Sequence, residues 1–219
     1  MNTNNKALQI IALQTMLSGL VDYKIAKDSI PPITAAEYEY LWAGNGVFIR
    51  SASRFWEAHI QVASFETPGL LPAESGFKWL EKRLDEGFLQ TVYTEARQAC
   101  GPDLSNPVEV LYRIKKNYLT RRYELVKPQQ VGSAGLVSST DVGDEQTMIE
   151  IHSHHLMETY WSQTDDNDHQ GKRIYGVIGN FGEKKPKMRL RLSIHGHRID
   201  IPITDLFESN SVFVDGSFS

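Results

Sequence analysis

The stretch Thr147–His155, TMIEIHSHH, constrains the fold more than any other part of the chain. Its alternation of isoleucines with polar residues reads as a strand, in which side chains two apart point to one face. Glu150, His152 and His154 therefore share a face, and the two imidazoles stand where a common metal ion would need them. Asp165 adds a carboxylate after a loop, with Ser162 three residues before it. A Ser-x-x-Asp step opens a helical turn and sets those two side chains close together. Two histidines and one carboxylate make three protein ligands. Zinc held by three ligands keeps a fourth position open, as in hydrolases rather than structural sites. The single cysteine, Cys100, limits any metal here to nitrogen and oxygen ligands, and it fits a reducing compartment.

Around this stretch the pattern is that of an α+β protein. Ala7–Val21, ALQIIALQTMLSGLV, reads as an amphipathic helix, too short and too interrupted by Gln9, Gln14, Thr15 and Ser18 to span a membrane. With no basic leader or cleavage signal, the expected location is cytoplasmic. YEYLWAGNGVFIRSA reads as two strands joined at Gly44-Asn45-Gly46, and RFWEAHIQVASF as a third. ETPGLLPAES, with two prolines and a glycine, is the expected domain junction. Residues 1–75 then form a helix plus a β-rich accessory domain, 76–208 a second domain, and 209–219 a flexible tail. In the second domain Phe88–Ala99 has helical spacing, with Phe88, Leu89, Val92, Tyr93 and Ala96 on one side. VEVLYRIKK, RRYELVKP, TMIEIHSHH, RIYGVIGNF, KMRLRLSIHG and HRIDIPITDLF follow as strands.

The spacing His-x-His, seven residues, Ser, two residues, Asp resembles the signature of the JAMM (MPN-plus, or JAB) metalloproteases. Here it stands as His152-Ser153-His154, HLMETYW, Ser162-Gln163-Thr164-Asp165. The order of elements from about Leu80 to Glu208 is similar too, and RIYGVIG resembles the prokaryotic branch found beside ubiquitin-like, E1-like and E2-like proteins, including antiphage conjugation systems. The resemblance implies a cytidine-deaminase-like mixed sheet with a flanking helix, and Zn²⁺ on His152, His154 and Asp165. It also implies that Glu109, in PVEVLYR, is the general base and that Ser162 donates to the oxyanion. The expected activity is removal or maturation of a ubiquitin-like protein by isopeptide or peptide hydrolysis. The expected partners are that protein and the E1-like and E2-like members of its system. Two departures stand out. His155 occupies the position where most members carry proline, its side chain expected on the opposite strand face and not a ligand. The helix after the aspartate is cut to DNDHQGKR.

Each assignment has a plainer alternative. Ser162 and Asp165 could form only a helix cap. Glu124 and Glu150 compete with Glu109 as base, and Glu150 could instead support the ligands from its place on the histidine face. Asp166 and Asp168 read as a solvated turn, His195-Gly196-His197 as a turn without a ligand set, and Arg113–Arg122 as a solvated hairpin. Trp161 reads equally as site lining or as loop packing. The net charge of −4, from 23 basic and 27 acidic side chains, argues against a nucleic-acid partner. EIHSHH also resembles the opening of a PHP-type phosphoesterase. Only 65 residues follow His154, too few to complete that barrel and its ligands. A non-catalytic MPN scaffold is the rival of a different class, distinguished by its lack of metal.

Overall fold

The computed structural model describes residues 19–105, 107–139 and 146–217. The expected helix over Ala7–Val21 lies largely outside the described residues, and its last residue, Val21, already belongs to a strand. Two compact units meet in sequence at Glu81/Lys82.

Unit 1 is a five-stranded sheet in sequence order: β1 (Val21–Ile25), β2 (Tyr38–Ala43), β3 (Gly46–Ala52), β4 (Trp56–Ala63) and β5 (Gly76–Trp79). β1 runs parallel to β2, and the other neighbours are antiparallel. The turn at Gly44-Asn45 joins β2 to β3 as the sequence predicts, with Ala43 facing Gly46. Gly46 has φ +138, and a Cβ there would run into the Ala63 carbonyl, so glycine is required. Asn45 reaches out of this turn and exchanges two hydrogen bonds with the Ala73 backbone, at 2.8 and 2.9 Å. That clamp, and the pairing of β5 with β4, place ETPGLLPAES inside unit 1. The expected junction at 75/76 therefore moves to 81/82. The short GFKW strand carried too few residues to be read as one.

Unit 2 opens with α1 (Gly87–Ala99), which buries Leu89, Val92 and Ala96. Its strands are β6 (Leu111–Asn117), β7 (Arg122–Val126), β8 (Gln130–Gly132), β9 (Val137–Ser139), β10 (Thr147–Ser153), β11 (Arg173–Gly179), β12 (Lys187–Ile194), β13 (His197–Ile201) and β14 (Val214–Asp215). Two short helices, α2 (Gln163–Asp168) and α3 (Ile203–Leu206), complete it. The main sheet has the order β13-β12-β11-β10-β6-β7, with β14 beside β12 and β8–β9 a separate hairpin. The unit is thus mixed α+β. β10 and β11 are parallel, so the chain between them must cross over, and this crossover carries α2.

One face of β10 and its neighbours is apolar: Ile149, Ile151, Ile174, Ile178, Leu190 and Leu192 are all buried. The other face is polar. Arg113, Glu150, Tyr175 and Arg191 form one row across β6, β10, β11 and β12. Arg113 and Lys116 are buried, so the basic run is only partly a solvated hairpin. Arg113 Nε donates to Glu150 at 2.8 Å, and Lys116 lies over the Tyr123 ring.

Residues 209–217 are not a tail. Phe213 is buried against Tyr93, β14 pairs with β12, and the Asp215 carboxylate accepts the Ile203 amide at 2.8 Å. Glu86 at the start of α1 accepts hydrogen bonds from Ser209 and Ser211, which hold its carboxyl down at about 2. No described helix is long and apolar enough to cross a membrane.

Candidate metal centre

The site forms where β10 ends. The His154 amide donates to the Ile178 carbonyl at 2.7 Å, extending the ladder to β11 by one residue. His155 then takes φ +40, and its left-handed turn leads the chain off the sheet. Ser153 faces away from the histidines. Its Oγ accepts the Val110 amide at 3.0 Å, pinning the segment that carries Glu109. The Glu109 amide donates to Ser133 at 2.9 Å, and Gly132 packs so closely on the Glu109 carbonyl that a Cβ could not fit. Glu109, His152, His154, Ser162, Asp165 and His169 line one cavity of about 300 Å³, with β9 along its side.

Three ligand atoms converge in that cavity. His152 Nε2 lies 3.0 Å from His154 Nε2 and 3.2 Å from Asp165 Oδ1, and His154 Nε2 lies 3.9 Å from Asp165 Oδ2. Tetrahedral zinc with bonds of about 2.0–2.1 Å sets its ligand atoms roughly 3.3 Å apart. The two spacings from His152 fall slightly short of that value, and the 3.9 Å spacing is to Oδ2, the oxygen that Ser162 engages. His154 Nδ1 donates to the Glu158 carbonyl at 3.3 Å, which leaves the Nε2 lone pair directed at the cavity.

The protonation states agree with the geometry. Burial pushes His152 and His154 below the ordinary imidazole range, against the opposing pull of Asp165. Burial works to raise Asp165, but His152 and the two hydrogen bonds from Ser162 outweigh it and hold the carboxyl low. Two neutral imidazoles and one carboxylate are the forms a divalent cation binds.

Ser162 and Asp165 make a complete capping box at the start of α2. Ser162 Oγ accepts the Asp165 amide at 3.1 Å, and Asp165 Oδ2 accepts the Ser162 amide and hydroxyl, both at 2.7 Å. Cap and ligand are not alternatives, because Asp165 uses Oδ2 for the cap while Oδ1 faces His152. In this structure the one hydroxyl proton of Ser162 is directed to Asp165, so the serine supports that carboxylate.

The three glutamates separate clearly. Glu109 is buried beside the converging ligands, and burial together with the Asp165 charge raises its carboxyl to about 7. Glu150 lines the cavity but is committed to Arg113 and, at 3.6 Å, to Arg173. Glu124 is exposed on β7 and accepts from Asn117 at 3.0 Å.

Sequence reasoning missed two residues here. His169, at the C-cap of α2, places a ring nitrogen within 4.8 Å of the ligand atoms of His152 and Asp165. It stacks on Tyr175 at 3.6 Å between centroids, and burial and the Arg191 charge push its pKa down to about 3. Arg191 donates to His169 Nδ1 at 2.8 Å and to Asp166 at 2.7 Å, and its guanidinium lies 4.0 Å over the Trp161 ring. Trp161 thus packs in this support, and Asp166 belongs to it instead of a solvated turn. The spacing of His169 four residues after Asp165 was the available signal. Nothing marked Arg191, which reads as one more exposed charge on an alternating strand. His155 is buried, with no hydrogen-bond partner for its Nε2 among the described residues. His195 and His197 flank the β12–β13 turn.

The described residues therefore hold a cluster that could take a metal ion, made of His152, Asp165 and His169, with His154 Nε2 beside it at 3.0 Å from His152 Nε2. No family model matches the chain, and no curated protein matches it.

Proposed function

We propose that this protein is a zinc-dependent isopeptidase or peptidase of the JAMM type, with Zn²⁺ on His152, His154 and Asp165. The observation that carries the reading is the convergence of those ligand atoms beside a buried glutamate whose pKa lies near neutrality. A general base works best when its pKa is close to the operating pH. Zn²⁺ bound there would supply a Lewis acid and lower the pKa of water from about 15.7 to roughly 7. Glu109 takes the proton of the attacking water and returns it to the leaving amine, so water is added across the C–N bond. Ser162 and the α2 cap hold Asp165 in place. Arg113 and Arg173 keep Glu150 out of the proton transfer.

The substrate class, the C-terminal tail of a ubiquitin-like protein, is proposed from the motif's resemblance, as are E1-like and E2-like partners. Supporting the peptidase reading, the cavity is open and flanked by a short hairpin, β8–β9. The test is cleavage of ubiquitin-like fusions by the zinc-loaded chain and by Glu109→Gln. The substitution is expected to lower turnover about 10²–10⁴-fold with zinc stoichiometry unchanged. Cleavage at the original rate would remove Glu109 from its role. Bound zinc without any cleavage would sink the peptidase reading, and a chain that takes up no zinc would favour a partner-binding scaffold.

A further inference from the structure

His169 poses a question that the three-ligand reading leaves open. Its ring stands close enough to His152 and Asp165 to hold an ion with them, and if it joined His152, His154 and Asp165 as a further protein ligand it would close the position a hydrolytic site keeps for water. Arg191 decides the matter. A guanidinium only donates, so the 2.8 Å contact makes His169 Nδ1 an acceptor and puts the ring's proton on Nε2. One nitrogen then has its lone pair engaged, and the other carries hydrogen. Neither can bind a cation while Arg191 stays in place.

Arg191 is well held. Asp166 accepts from one of its terminal nitrogens, the Trp161 ring covers it, and its side chain is 4% exposed. His169 is fixed from its own side by stacking on Tyr175, and its carbonyl accepts the Ser193 hydroxyl at 2.6 Å. We infer that Arg191 is a positioning residue that keeps His169 out of the metal's coordination sphere, so that a centre with four available side chains operates with three. The inference rests on the metal-centre part of the proposed function and not on the peptidase part.

The experiment uses zinc as the probe and the full chain. In ¹⁵N imidazole spectra of the unsubstituted protein, His169 is expected as the Nε2–H tautomer both before and after zinc loading, while His152 and His154 shift. His169→Phe, which keeps the ring stack, should leave the zinc Kd within about threefold of the original. Arg191→Met should tighten zinc about tenfold or more, by releasing His169 to bind. Removing a positive charge could also tighten a cation, so the Arg191→Met/His169→Phe double variant is decisive, and the gain should vanish in it. A His169 resonance that moves on zinc loading as a ligand would overturn the inference. So would tenfold weaker zinc in His169→Phe, unchanged affinity in Arg191→Met, or a gain that survives in the double variant. If Arg191→Met does not fold, the spectra and His169→Phe settle the point alone. Zinc bound without peptidase activity would sink the isopeptidase reading and leave this one intact. Failure of the unsubstituted chain to bind zinc would sink both.

Discussion

In unit 1 the Glu39 carboxylate and the Arg50 guanidinium face each other across β2 and β3, and both are buried. Each has further partners: Glu39 accepts the Thr34 and Ala35 amides at 3.1 and 3.4 Å, and Arg50 donates to the Pro31 carbonyl at 2.9 Å. In the His152 cavity of unit 2 buried polar groups meet without such balance. The two imidazole nitrogens of His152 and His154 point at each other, and the Glu109 carboxyl is raised by burial and by the charge of Asp165. Buried charge is tolerated when a partner neutralises it and is costly when none does. The charges of the first region therefore balance as they stand, although Arg50 Nε has no hydrogen-bond partner among the described residues, whereas those of the second would balance with a cation. That contrast separates a polar core from a candidate site.

Breaking the complete pair should have the largest effect. Arg50→Met leaves Glu39 buried alone and is expected to cost about 3–5 kcal/mol, while Glu39→Leu/Arg50→Met should come much closer to neutral. Urea unfolding followed through Trp42, Trp56 and Trp79, all in unit 1, checks this. A single-variant loss below about 1 kcal/mol would mean the pair is solvated in solution and the comparison fails on this side. Completing the other region comes next. Zinc at about a thousandfold over its Kd should stabilise the protein by about 4 kcal/mol, reversed by a chelator. His152→Ala should abolish that response in a thermal melt.

The contrast also explains what could be read from the chain. The Gly44-Asn45 turn, the α1 face and the strands around TMIEIHSHH were legible because each has a local period or a turn residue. The parallel pairings of β1 with β2 and β10 with β11 were not, since they are chosen by distant partners. GFKW, QVG and VSS were too short to show a period. Spacing along one segment singled out His152, His154, Asp165 and Ser162, and the structure brings all four to one cavity. Glu109 came from the order of elements that the family resemblance implies, and three glutamates had to be left in competition. What sets Glu150 apart from Glu109 is its ion pair with Arg113 on β6, a pairing invisible in one dimension. The same holds for Arg191, whose burial depends on α2 folding over β12.

A smaller effect tests whether the second region is strained without metal. The carboxyl of Glu109 is raised from 4.5 to about 7 in the folded chain. Between those values the folded state holds a proton that the unfolded state has lost, so Glu109 lowers stability as pH rises through this window. Glu109→Gln should therefore stabilise the metal-free protein by on the order of 3 kcal/mol above the window, and by nothing below it. Thermal melts in chelator at pH 4 and pH 8 measure the difference. An equal effect at both pH values would show that Glu109 is not held at a cost.

The smallest change expected in the fold comes from Ser162→Ala, and its value lies in separating two consequences of one hydroxyl. Loss of the cap should cost about 0.5–2 kcal/mol, a modest loss because α2 is one short turn and a half exposed to solvent. The same change frees Asp165 Oδ2 from the hydroxyl that orients it, and weakening a ligand's support typically costs about 10–100-fold in metal affinity. A variant that melts nearly as before yet binds zinc an order of magnitude more weakly would show the serine acting through Asp165. If instead zinc affinity is unchanged and only turnover falls, the hydroxyl must leave Asp165 during the reaction and donate to the developing oxyanion, as the family resemblance implies. Paired zinc titration and single-turnover cleavage of Ser162→Ala distinguish these outcomes directly, since the first changes the binding curve and the second does not.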